Sequence, residues 1–346
     1  MLLNTDEYIK IVNGIKTQIR EAQYRAVLGA NSEMIKLYWG IGNTINEQSV
    51  WGNKFIENLS RDIKQDYPDS TGYSVRNLKY MAKFAQIYPD ETLIVQRGVA
   101  QLPWRHNIVL MEKIKDDEQR KWYIAKAIEN GWTRDVLVHQ IESNLYRRQV
   151  KAKKITNFGK VLAPPQSELA VQTIKDPYVF DFITAKEGIL EREIESELIK
   201  NVTKLLLELG TGFAFIGNQY HLEVSGRDFY IDLLFYNLIL RCYVVIELKT
   251  GEFEPEYAGK LNFYLSAVDD ILKTEQDNPS IGILLCKTKD NLIAEYALKD
   301  MTSNHRFAPI GVSEYKVSDK LPTEYKDALP SVDDIKNRIL GGDVNT

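Results

Sequence analysis

Residues 227–252 read RDFYIDLLFYNLILRCYVVIELKTGE, and this stretch decides the fold. β-Branched and aromatic residues fill two runs, Phe229–Tyr236 and Cys242–Leu248, which predicts two adjacent strands. Each carries an acid, Asp232 in the middle of the first and Glu247 near the exit of the second, with Lys249 two residues on. A mid-strand carboxylate is costly to bury unless it is paired or metal-bound. An antiparallel hairpin centred between Ile239 and Leu240 sets Asp232 opposite Glu247, and opposed residues project from one face. Alternation along the strand adds Lys249 to that face. Two carboxylates and an ammonium converging there suit a divalent, oxygen-ligated cation beside a phosphate, the lysine orienting a water or stabilising charge on phosphorus. Glu-x-Lys alone also marks where an apolar strand leaves a core, so the neighbouring elements decide.

A length of 346 residues predicts two domains, and the formal net charge of -4 gives no global support for nucleic-acid binding, which must come from local patches. Cys242 and Cys286 fall inside apolar runs, as small buried thiols do, and imply neither a disulfide nor a zinc framework. The opening MLLNTDEYIK has no secretory pattern, and no run approaches the roughly 18 apolar residues of a membrane span. A cytoplasmic protein is expected.

Residues 6–146 read as helical. Tyr8, Ile9, Val12, Ile15 and Ile19, then Met34, Tyr38 and Ile41, recur at helical spacing and predict a core stripe. Leu59–Tyr67 predicts a short helix ended by Pro68, and Ser74 caps a second helix running to Ile87. Leu78, Met81 and Phe84 or Ala85 would face inward, and Arg76, Asn77, Lys79, Tyr80 and Lys83 outward. This resembles a helix-turn-helix with base-reading residues, though PDSTGY is long for its turn and a solvated polar face reads equally well. Trp104, Arg105 and His106 form a polar-aromatic cluster that could touch nucleic acid; a tryptophan there is more often a core anchor, and His106 lacks the neighbours of a metal site. Thr133 restarts a helix after Gly131.

The basic run Arg147, Arg148, Lys151, Lys153 and Lys154 could grip backbone phosphates. With the Pro164-Pro165 pair it marks a boundary near Ala152–Asp176. The expected organisation is a helical domain over 1–150, a linker over 151–176, a second domain over 177–325 and a tail over 326–346. The second domain reads as a helix from Leu190 to Leu209, a strand FAFIGNQYHLEV, the hairpin, a helix from Glu256 to Leu272 and the strand IGILLCK. That order predicts α+β architecture with an αβββαβ core and a mixed sheet, because the crossover helix demands a parallel partner.

This element order, with Asp232 and Glu247-Leu248-Lys249, resembles the PD-(D/E)xK nuclease superfamily and its restriction-endonuclease-like core. The phrases LLLELGTGFAFIGNQY, FYIDLLFYN, RCYVVIELKTGEFEPEYAGKLNFYL and ALKD are similar to the YhcG-like nuclease family, as are NSEMIKLYWGIG, WGNKFIENLS, GYSVRNLKYM and LPWRHN in the helical half. The resemblance implies a metal-dependent nuclease acting on DNA with Mg²⁺, or Mn²⁺ in its place. Asp232, Glu247 and the Leu248 backbone carbonyl would hold the ion, and Lys249 would act on the attacking water. It further implies an acid on the first helix of the core, for which Glu195 is chosen, with its neighbour Glu193 as the alternative. Lys260 stands where a glutamine is expected and would contact phosphate; Arg76, Asn77, Lys79, Lys83, Arg147 and Arg148 are the other expected nucleic-acid contacts. A catalytically silent nucleic-acid-binding module, or a protein-interaction component of a defence or mobile-element system, is the alternative. The apolar tip Leu238-Ile239-Leu240 would then serve a protein partner or a second copy.

Overall fold

Helical periodicity in the first half and strand periodicity in the second produce two units that divide between Tyr146 and Arg147. The computed structural model describes residues 5–48, 52–96, 98–184, 188–299 and 308–318. The tail expected over 326–346 lies outside the described residues. Among them, no helix is long and apolar enough to cross a membrane.

The first unit is helical throughout: α1 (Thr5–Glu47), α2 (Gly52–Asp66), α3 (Val75–Ile87), α4 (Glu91–Gln96), a 3₁₀ turn, α5 (Trp104–Lys113), α6 (Asp117–Glu129) and α7 (Arg134–Glu142). The Ser74 and Thr133 hydroxyls accept the backbone N–H of Asn77 and Val136, the caps expected from sequence. Leu78, Met81, Phe84 and Ala85 turn inward as predicted, onto Ile35, Tyr38 and Trp104. α3 lies so close to α1 that a Cβ at Gly42 would overlap the Met81 carbonyl.

Two expectations for this unit fail, and one open alternative is decided. Tyr8, Ile9, Ile15 and Ile19, read as core, are about half exposed because the first turns of α1 have no covering element among the described residues. Trp104 and His106 are buried, the core-anchor alternative, while Arg105 is exposed: the Trp104 ring meets Tyr38 and Phe84 edge-on, and His106 Nε2 bonds the Trp132 carbonyl at 2.9 Å. Asn77 does not face outward to read bases. Its Oδ1 accepts from Trp104 Nε1 at 2.7 Å and its amide donates to the Gly72 carbonyl, fastening the turn before α3.

The second unit comprises β1 (Ile155–Thr156), α8 (Phe158–Val161), α9 (Gln166–Thr173), β2 (Tyr178–Thr184), α10 (Glu191–Lys200), α11 (Val202–Leu209), β3 (Phe213–Val224), β4 (Arg227–Asn237), β5 (Cys242–Glu252), α12 (Pro255–Ile271), β6 (Ile281–Thr288), α13 (Asn291–Ala297) and β7 (Ile310–Ser318). The sheet order is β1-β7-β6-β5-β4-β3, with β2 also along β7. β3–β4–β5 pair antiparallel and β5–β6–β7 parallel, the mixed sheet that the crossover through α12 requires. Alternate residues feed two cores: Ile246, Leu248 and Ile283 join α10 and α11 on one face, while Val245 and Leu284 join α12 on the other. Cys242 and Cys286 are free and buried, and burial pushes both thiols up to about 12. The single helix expected over 190–209 is two, broken at Asn201.

Residues 151–176 are not a linker. Ile155 and Thr156 pair with β7, and Phe158, Leu162, Ala170 and Ile174 are buried in the core of the second unit. Nor is the basic run a uniform phosphate grip. Arg147 is exposed, but Arg148 is buried, donates to Glu208 and to the Pro177 carbonyl, and is held by a carboxylate 60 residues away. Lys175 joins the same carboxylate at 3.9 Å. Removing one partner of a buried pair strands the other charge, which costs about 3–5 kcal/mol. Arg148→Ala is therefore expected to lower unfolding free energy by about that amount in urea titrations, whereas Arg147→Ala should change it by less than about 0.5 kcal/mol.

Candidate active site

The site is built where β4 and β5 separate. Their ladder runs from Asn237↔Cys242 to Leu233↔Ile246, the register predicted from the hairpin centre. Asn237 fixes that centre, its Oδ1 accepting the N–H groups of Ile239 and Leu240. Leu240 is buried, so only Leu238 and Ile239 of the apolar tip face solvent.

One step beyond the last pair, Asp232 and Glu247 stand opposite each other. Backbone N–H groups that leave a ladder must find other acceptors. The carboxylates supply them: Asp232 Oδ2 accepts from Leu248 N at 2.9 Å and Glu247 Oε1 from Asp232 N at 3.4 Å. β4 then continues on β3 and β5 on β6, and the acids occupy the fork.

Cations complete the surroundings. Lys260 on α12 donates to Glu247 Oε2 at 2.9 Å, with its ammonium 5.1 Å from the Tyr264 ring centroid. Lys249 is 9% exposed and donates to Glu191 Oε2 at 2.8 Å and to the Leu248 carbonyl at 2.7 Å. Glu247 itself is 1% exposed. Burial first, then the Asp232 charge, push its carboxyl up to about 7 against the pull of Lys260. Burial draws the Lys260 ammonium down, but Glu247 outweighs it and holds the group above its ordinary value.

Glu193 and Glu195 have different partners. Glu193 caps its own helix, its carboxylate accepting the Leu190 N–H at 2.8 Å. Glu195 is buried and accepts from Asn218 Nδ2 at 3.2 Å and Gln219 Nε2 at 2.7 Å; Gln219 also reaches Asp232 Oδ1 at 3.5 Å. Burial raises the Glu195 carboxyl, and the two amide bonds partly hold it back. Sequence reasoning missed Glu191, Asn218 and Gln219. Glu191 carried a signal, since it stands four residues before Glu195 and shares its helix face.

No group of three or more His, Cys, Asp and Glu side chains closes into a ligand cage among the described residues. The donor chemistry nevertheless fits a hard divalent cation, which binds through one or two carboxylates and keeps several waters. Asp232 and Glu247 repel each other across the fork, and the Leu248 carbonyl points to Lys249 beside them. Of the expected nucleic-acid contacts, Lys260 belongs to this acid cluster. Arg76, Lys79 and Lys83 lie on the exposed face of α3 in the other unit.

Residues 171–330 match the family described as YhcG PDDEXK nuclease domain, and residues 14–148 match the DUF1016 N-terminal domain. The protein of Escherichia coli (strain K12) named "Putative nuclease YhcG" is 28% identical over 355 residues, covering 92% of each chain. Among solved structures, a repair endonuclease from Pyrococcus abyssi is similar at 14% identity and a TM-score of 0.25, over 40% of this chain and 50% of that one.

The raised Glu247 carboxyl has a thermodynamic consequence. Its native value near 7 exceeds the ordinary 4.5, so between those pH values the native state holds a proton that the unfolded chain releases. Stability from this group is present below the lower value and is lost as pH rises through the upper one. Glu247→Gln removes the titration. Its melting temperature relative to wild type is expected to be higher at about pH 8 than at about pH 5, in melts without divalent ions; an offset independent of pH would contradict the assignment.

Proposed function

We propose that this chain, whose residues 171–330 match the YhcG PDDEXK nuclease domain and whose residues 14–148 match the DUF1016 N-terminal domain, hydrolyses phosphodiester bonds in DNA with a divalent metal ion, Mg²⁺ or Mn²⁺. The observation that carries this reading is the opposition of Asp232 and Glu247 at the fork, with Lys249 beside them on β5.

Asp232, Glu247 and the Leu248 carbonyl would hold the ion, which when bound supplies charge neutralisation for the phosphodiester under attack. Glu195, bridged to Asp232 by Gln219, would complete the acid set. Lys249 is the proton-handling and charge-stabilising group. Its ammonium is oriented by Glu191 and the Leu248 carbonyl rather than by packing alone, so it is aimed before a substrate arrives. Lys260 neutralises Glu247, and with its side chain nearly half exposed it would also reach a phosphate. A purely structural role would leave a nearly fully buried glutamate held against Asp232 with no compensating function.

The helical unit would engage nucleic acid through Arg76, Lys79 and Lys83 on α3. Helix–turn–helix proteins place such a second helix in the major groove, and α2 and α3 with the connection 67–74 supply the elements. Arg76 bonds the Tyr80 hydroxyl, which in turn bonds Glu112, so Lys79 and Lys83 are the simpler phosphate contacts. Arg147, exposed at the start of the second unit, would add one more.

Supercoiled plasmid incubated with Mg²⁺ or Mn²⁺ is expected to be nicked by the wild type, and Asp232→Ala and Lys249→Ala should each slow nicking on the order of 10²–10³-fold or more. Equal rates in wild type and Asp232→Ala would contradict the reading. Lys79→Ala with Lys83→Ala should weaken duplex binding across sequences and reduce the slope of log affinity against log salt by about 2, read by fluorescence anisotropy; an unchanged slope would remove α3 from the interface.

A further inference from the structure

Asn218 and Gln219 are consecutive residues of β3, and in a regular strand their side chains would leave opposite faces of the sheet. Here both amides reach the same carboxylate, Asn218 Nδ2 on Glu195 Oε1 at 3.2 Å and Gln219 Nε2 on Glu195 Oε2 at 2.7 Å. The backbone explains how. The β3–β4 register shifts between Phe215 and Gly217, and Gln219 adopts φ 44°, a left-handed conformation unfavourable for a residue with a Cβ. Pairing keeps one register on either side of Gln219, at Asn218↔Leu233 and Tyr220↔Ile231, so this second irregularity is local to the residue opposite Asp232.

Strain of this kind persists only where the surroundings over-determine it, and here it has one evident result. It brings a two-donor amide clamp onto Glu195 and sets Gln219 Nε2 between Glu195 and Asp232 Oδ1, 3.5 Å from the latter. Glu195 is 5% exposed and stands on a different element from the strand acids, and the Gln219 amide is what links its carboxylate to Asp232. We propose that Gln219, with Asn218, is a positioning residue of the nuclease site: the amide pair fixes the Glu195 carboxylate beside Asp232 so that acids from α10 and β4 serve one divalent ion. The inference rests on the reading of Asp232 and Glu247 as that ion's site.

Two substitutions separate this role from a structural one. Gln219→Gly removes the amide and also the backbone strain, since glycine adopts positive φ freely. Gln219→Met keeps the length and removes the donors. Mn²⁺ binding to the full chain, measured by calorimetry and counted as the part lost in Asp232→Ala, is expected to weaken about 10–100-fold in both variants. The unfolding midpoint of Gln219→Gly without metal should stay unchanged or rise. Wild-type Mn²⁺ affinity in Gln219→Gly overturns the positioning role while leaving the ion site standing. A wild type without Asp232-dependent Mn²⁺ binding overturns the ion site, and the positioning role with it.

Discussion

Everything in the second unit bears on the fork where β4 and β5 part beyond Leu233↔Ile246. A strand pair that opens exposes backbone donors, and in a half-buried position those donors must be met. Asp232 and Glu247 meet them from inside the opening, each carboxylate accepting a main-chain N–H near the other. The same two contacts that close the ladder thus hold two carboxyl groups face to face in a site where Glu247 is almost wholly withdrawn from water. Such a pair is stable only with cationic compensation, and the rest of the site is arranged around that need.

The compensation is distributed. Lys260 takes Glu247 from the α12 side, and Lys249 is held by Glu191 from α10. Three elements of different sequence separation therefore fix the charges of one site, so the site is only as well ordered as the αβββαβ core itself. The buried Arg148–Glu208–Lys175 group ties the entry of this unit to α11 in the same manner.

The hairpin was legible because a short tip fixes register, and register alone sets Asp232 against Glu247 whatever surrounds them. The crossover helix made the parallel β5–β6 pair equally legible. Gln219 was not, since alternation assigns faces by counting residues and cannot register one residue in a left-handed conformation. Arg148 read as part of a solvated basic run because its partner Glu208 is distant in sequence, and the Pro164-Pro165 pair read as a linker although the flanking Phe158 and Ile174 are buried. Helical spacing at Tyr8, Ile15 and Ile19 recorded an apolar stripe correctly but says nothing of whether an element of the same chain covers it.

The central claim is that Asp232 and Glu247 are two sides of one ion site. Diffraction from crystals soaked in Mn²⁺, recorded on the manganese absorption edge, tests it directly. The account predicts an anomalous peak within ligand distance of both carboxylates and the Leu248 carbonyl. A peak that engages neither carboxylate, or no peak there while Lys260 still holds Glu247, would contradict it.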